Sequence, residues 1–201
     1  MLTDEKEITK IVKLIFNQYQ SIRYATSTFI LKYLENKKKN VKLTDILDFF
    51  NPFIKEIPNL PVYIVETLWD QCAALRDWET ISNTLYGDEE DEELDEEQEI
   101  IMIRLLNAMV KRAVGKLKTT NIKDDTGKIP KPKKLKKEEQ DKLVDSMTHS
   151  LAKALPQLLE RYQADTDKIV ELIEIPQFLN LESYTTYRLT HVIFFFFIFK
   201  N

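Results

Sequence analysis

Glycine is nearly missing from this chain: three residues in 201, too few for the tight turns that successive strands need. Those three, Gly87, Gly115 and Gly127, stand isolated, so no glycine-rich phosphate loop exists. Cysteine occurs once, as Cys72, which excludes an internal disulfide and fits a reducing compartment. Cys72 falls on an apolar helical stripe, where a thiol is usually inert packing. The two histidines, His149 and His191, have neither a cysteine nor each other at metal-ligand spacing. A charged-then-apolar N-terminal leader is absent, so no secretory signal is expected. The most apolar run, His191 to Phe199, reaches about half of the roughly 20 residues that a membrane span needs. The glutamates are numerous but read as solvated, with no pair marked for acid and base roles. The expectation is a chain without catalysis, cofactor, metal, small-molecule substrate or membrane anchor.

What remains is helical in period. With 43% hydrophobic and 31% charged residues, the composition reads as all-α. A chain of this length can hide roughly 70% of its unfolded surface. The net charge of −4 conceals a strong segregation. Asp88 to Glu99 holds ten acids and no base, whereas Lys111 to Lys137 holds eleven bases and two acids. Such blocks act locally on partners, whatever their sum.

Thr3 is expected to cap a first helix with Ile8, Ile11, Val12, Ile15 and Tyr19 on one face. A second, from about Ser21, places Ile22, Ala25, Phe29, Tyr33 and Leu34 inward and ends in Lys37, Lys38 and Lys39. Those lysines suit the negative end of a helix dipole, as a solvated terminus or as a contact to phosphate or an acidic partner. Thr44 is expected to cap a third helix, stopped or bent at Pro52. Pro58 and Pro61 bound the next connection. A helix from about Pro61 to Arg76 carries Val65, Leu68, Cys72 and Leu75 with Trp69 at its flank, and one from Asp77 carries Trp78, Ile81 and Leu85 until Gly87. Both tryptophans read as core.

The acidic stretch 88–99 reads as a solvated interhelical loop. It lacks the alternating Asp-x-Asp-x-Asp-Gly order of a calcium loop. It leads into a helix with Ile100, Ile103, Leu106, Val110, Ala113 and Leu117 inward. A second flexible connection, 119–137, includes Lys128, Lys131, Lys133, Lys134, Lys136 and Lys137, six lysines in ten residues with Pro130 and Pro132 between them. That density fits a nuclear import signal, a nucleic-acid contact or a soluble linker, and no aromatic residue interleaves to stack on bases. From Glu138 a long helix places Leu143, Val144, Met147, Leu151, Ala154, Leu155, Leu158 and Tyr162 inward, kinked at Pro156, with His149 on the opposite side. Asp165 or Asp167 caps a short helix bearing Ile169 and Leu172, and a last helix starts near Leu181.

Two phrases carry a resemblance. Leu155-Pro156-Gln157-Leu158-Leu159-x-x-Tyr162, then Ile175-Pro176-Gln177 and Leu181-Glu182-x-Tyr184-Thr185-Thr186-x-Arg188-Leu189, resembles the SA/STAG (stromalin) subunit of cohesin. Upstream, Leu68-Trp69-Asp70-x-Cys72-Ala73-x-Leu75-x-Asp77-Trp78-Glu79 resembles the same family. The likeness covers roughly residues 65–189. It implies a HEAT-type helical-repeat α-solenoid, which eight or nine modest helices at roughly 40–47 residues per repeat also fit. By the same resemblance, the chain would be an internal piece of a scaffold that holds the kleisin subunit, meets other cohesin subunits and chromatin, and works in sister-chromatid cohesion in the nucleus. The family's Pro-Pro-Val-Gly-Arg phrase is not present in the basic loop. Residues 1–189 are thus read as the helical segment and 190–201 as an atypical apolar tail, expected to be a truncated or wrongly translated end. The alternative is a nucleic-acid-binding helical module acting through the lysine-rich loop 128–137.

Overall fold

The structure, a computed structural model, describes residues 5–57, 59–86, 94–118, 122–124, 126–128 and 136–180. Thr3, Pro58, Gly87, the helix expected from Leu181 and the tail 190–201 lie outside the described residues. Eight α-helices, four short 3-10 turns and one isolated bridge make up the regular structure among the described residues. The chain divides into two compact units, Met1–Leu75 with Lys118–Lys133, and Arg76–Leu117 with Lys134–Asn201.

In the first unit, α1 (Glu5–Val12) tightens into a 3-10 turn at Lys13–Phe16. The chain then breaks at Asn17, whose side chain accepts the Tyr19 N–H at 2.9 Å. Tyr19 is therefore not on the buried face of the first helix; it is exposed, and α2 (Gln20–Lys37) begins beside it. The inward face of α2 is Arg23, Thr26, Ser27, Ile30, Leu31 and Leu34, while Ala25 is exposed and Ile22, Phe29 and Tyr33 are half-buried. The stripe is rotated from the expected one because the face that packs on α4 (Leu60–Leu68) contains a buried ion pair.

Next, α3 (Leu43–Phe50) has Lys42 at its cap position, two residues before the expected Thr44, which lies inside the helix. Its first turn is fastened by the Asp45 carboxylate, which accepts the Lys42 N–H at 2.8 Å. Pro52 ends it in a 3-10 turn, Asn51–Phe53, as a missing N–H dictates. Asn59 precedes α4 at φ 61°, a conformation asparagine tolerates. The helix expected to reach Arg76 stops at Leu68 and resumes as a 3-10 turn, Ala73–Arg76, with Trp69, Cys72 and Leu75 all buried. Ile15, Ile30, Ile46, Ile64, Leu68 and Leu75 are wholly enclosed. Each such side chain contributes about 1.5–3 kcal/mol relative to exposure.

The second unit holds α5 (Trp78–Tyr86), α6 (Glu96–Ala113), α7 (Lys137–Arg161), α8 (Thr166–Glu174) and a 3-10 turn at Ile175–Phe178. Asp95 and Gln98 cap α6 reciprocally, each side chain bonding the other's N–H, and Glu96, Glu97 and Glu99 suit the positive end of the dipole. The C-terminal part of the acidic run is thus helix rather than loop. Because α5, α7 and α8 all pack on α6, it is buried almost all round, with Ile101, Met102 and Ile103 enclosed in succession. The single stripe expected there was too narrow. The helix ends at Ala113, short of Leu117, where Gly115 at φ 72° lets Lys116 N–H reach Lys111 O at 2.7 Å and Gly115 N–H reach Arg112 O at 3.0 Å. The core of α7 matches its expected face from Met147 to Tyr162, and the helix continues through Pro156.

Candidate functional site

Of the six lysines singled out, three fall among the described residues. Lys128, in the first unit, is exposed and closes a turn built on Asp124, whose carboxylate accepts from Lys128 N–H at 2.9 Å and from Thr126 N–H at 2.8 Å. Those bonds, the Thr126 hydroxyl foremost, hold the Asp124 carboxyl below its usual range. Lys136 and Lys137, in the second unit, are exposed at the start of α7. Positive charge is disfavoured beside the positive end of a helix dipole, so these two gain nothing locally and remain available to an anionic partner. Lys131, Lys133 and Lys134 lie outside the described residues.

The segment read as a flexible connection is in part fastened. Ile122 is 8% exposed, Lys123 N–H donates to Gln18 O at 2.6 Å, and Gln20 N–H donates to Lys123 O at 2.8 Å. A single parallel bridge, Tyr19 with Lys123, results. The break between α1 and α2 leaves backbone groups that a helix would have paired, and Lys123 satisfies them. Period-based reading misses this contact because the partners are far apart in sequence.

Ionisable side chains converge in one place in the second unit, and there each finds a partner. Glu99 on α6 accepts from Lys168 Nζ at 2.7 Å, Tyr162 Oη at 2.9 Å and Arg161 Nη2 at 3.2 Å. Asp165 holds the same ammonium at 3.1 Å. Lys168 is 6% exposed; burial alone would lower its pKa, but Glu99 and Asp165 outweigh it and raise it. Burial and the Glu99 carboxylate push the Tyr162 hydroxyl up as well. Glu99 therefore departs from the solvated glutamates expected. Nearby, Asn107 Nδ2 bonds Glu171 Oε2 at 2.7 Å and Glu174 Oε2 at 3.1 Å, and Lys111 meets Glu174 at 2.8 Å.

These contacts tie α6 to α7 and α8. His149 sits 3.0 Å from Lys153 on the same helix, and Cys72 is buried in the first unit. No group of three metal-ligating side chains is found among the described residues, and no helix there is long and apolar enough to cross a membrane. His191 lies outside the described residues.

Eight α-helices among the described residues, with polar groups committed to locking helix to helix, define a helical-repeat protein of the HEAT type. Residues 63–193 match the family described as "Cohesin subunit SCC3/SA, HEAT-repeats domain", and the chain belongs to that family. The match encloses the span over which the two sequence phrases show their likeness. Similar proteins include cohesin subunit SA-1 of Xenopus laevis, 30% identical over 137 residues, 67% of this chain and 11% of that protein. Cohesin subunit SA-3 of Homo sapiens is 31% identical over 146 residues, 72% of this chain and 11% of its own length. Sister-chromatid cohesion protein 3 of Arabidopsis thaliana is 25% identical over 203 residues, 93% of this chain and 18% of its own. The chain thus spans between a tenth and a fifth of the length of these relatives.

Proposed function

We propose that this chain is a non-catalytic scaffold segment of a cohesin subunit, holding the kleisin subunit alongside other cohesin subunits on chromatin, in the nucleus, in sister-chromatid cohesion. The observation that carries the reading is the family match over residues 63–193. It is supported by the fate of the polar side chains. Lys168, Glu99, Tyr162 and Arg161 are consumed in fastening helices, which suits a part whose task is to present a rigid surface. In a helical-repeat protein the apolar seams build the stack, and the outer ridges remain for partners.

A second reading gives the lysine-rich loop 128–137 a direct nucleic-acid contact, favoured by the exposure of Lys128, Lys136 and Lys137. Salt separates the two, because neutralised phosphates release counterions and make affinity fall steeply with ionic strength. The full chain should retain a kleisin fragment through a salt series and hold duplex DNA weakly. Failure to retain the kleisin fragment, together with DNA binding of steep salt slope, would overturn the scaffold reading in favour of the second.

A further inference from the structure

The first unit contains a groove of about 540 Å³ between α1, the end of α2 and α3. Its floor is Ile8, Val12, Leu34 and Phe53, each no more than 9% exposed. Tyr33 and Phe49 wall it, ring centroids 5.7 Å apart, and the aromatic contacts run on from Tyr33 to Phe29 at 6.4 Å and from Phe49 to Phe50 at 5.4 Å. A lysine stands over a ring at each end: Lys37 Nζ lies 4.6 Å from the Tyr33 centroid, and Lys13 Nζ lies 6.0 Å from that of Phe53.

The charges at the rim are not equivalent. Asp45 is held by Lys38, Glu56 meets Lys13 at 3.2 Å, and Asp48 also has a partner. No carboxylate among the described residues reaches Lys37. The Lys13–Glu56 pair is more than half exposed on both sides, so its strength is small and a better-placed carboxylate can displace Glu56. The groove therefore offers an apolar aromatic floor with Lys37, unmatched by a carboxylate, at one end and the weakly held Lys13–Glu56 pair at the other.

We propose that this groove docks a short acidic segment of a partner protein through a bulky apolar or aromatic anchor. The cavity falls within the roughly 300–1,000 Å³ range of ligand sites, large enough for an anchoring side chain and its neighbour. Anchors of that kind bind by filling a desolvated pocket, and flanking carboxylates would settle on Lys37 and Lys13. A basic segment would instead meet three lysines and acids already engaged. The inference is independent of the cohesin reading, since it rests on the groove alone.

The test uses the full chain and a fluorescein-labelled synthetic peptide in which aspartates and glutamates flank a Phe-Leu pair, read by anisotropy. Saturable binding is expected, weakened about fivefold by Lys37→Glu, a change at an exposed site that leaves the thermal melt in place. Tyr33→Ala is expected to weaken it by about thirtyfold or more. A lysine-flanked peptide and an acidic peptide without the Phe-Leu pair should both fail to bind. Equal binding of either control, no effect of Lys37→Glu, or competition of duplex DNA for the same site would each overturn the proposal. So would a dimer of this chain that Lys37→Glu dissolves, because the occupant would then be a second copy. Loss of kleisin binding would leave the peptide result unchanged, so the two readings fail separately.

Discussion

Arg23 on α2 and Glu66 on α4 meet at 3.0 Å with side chains only 2% and 6% exposed. The guanidinium also donates to Asn17 O and lies 5.0 Å from the Tyr63 ring. Burial draws its pKa below the usual arginine value, and Glu66 opposes that shift. Removing Glu66 would leave the buried guanidinium without its carboxylate. Glu66→Ala should therefore destabilise the fold by about 3–5 kcal/mol, whereas Arg23→Met with Glu66→Leu together should recover most of the loss. Urea unfolding of both variants checks this, and equal stability of the single and double variants would refute it.

Lys168 makes stability depend on alkaline pH. Its folded pKa is raised above the unfolded value, so the contribution is fully present below about pH 10.4 and is lost as pH rises through the folded pKa. Tyr162 acts in the same direction, its raised pKa meaning that the neutral hydroxyl favours the folded chain. Melting temperature should hold from neutral pH to about 10 and then fall steeply, and Lys168→Met should flatten that fall. Thermal melts read by circular dichroism across the range settle the point.

Two element ends were legible because their causes are local: Pro52 halts α3, and Asp165 caps α8 by accepting from Asp167 and Lys168 N–H; the start of α6 at Asp95 and Gln98 was hidden inside an acidic run read as loop. Buried positions of α5 and the Met147–Tyr162 part of α7 followed from period alone. What could not be read is what depends on distant partners. Glu66 lies 43 residues from Arg23, and the enclosure of α6 on several sides is a fact of three other helices. A charged residue at position 23 was still a usable signal, because Arg23, Ser27, Ile30 and Leu34 fall on one helical face and all four are buried. The lysines at 128–137 were visible as composition, but the groove was not, as Ile8, Leu34 and Phe53 come from three separate elements.

Asp45 is 6% exposed and joins Lys38 to the first turn of α3. Burial raises its pKa, but the bonds from Lys38 and Lys42 N–H prevail and lower it. The resulting stability is present above the unfolded carboxylate pKa of about 3.9 and is lost as pH falls through the lower folded value. Asp45→Asn should cost about 1.5–3 kcal/mol at neutral pH, in line with hydrogen bonds to a charged group. Its loss of stability from pH 5 to pH 3 should be shallower than that of the parent chain, measured by urea titration at each pH.

Gly115 separates a backbone requirement from a steric one. A Cβ built there would meet Gln140 Nε2 at 3.8 Å, an ordinary contact, so space is not what demands glycine. The demand comes from φ at 72°, the left-handed conformation that lets Lys116 and Gly115 N–H cap the last carbonyls of α6. A side chain in that conformation costs about 1–2 kcal/mol, less for asparagine, which visits it more readily. Gly115→Ala should therefore destabilise by about that amount and Gly115→Asn by less, with Gln140→Ala failing to rescue the alanine variant. If removing the Gln140 side chain does restore stability, the penalty is steric and the backbone account of this helix end is wrong.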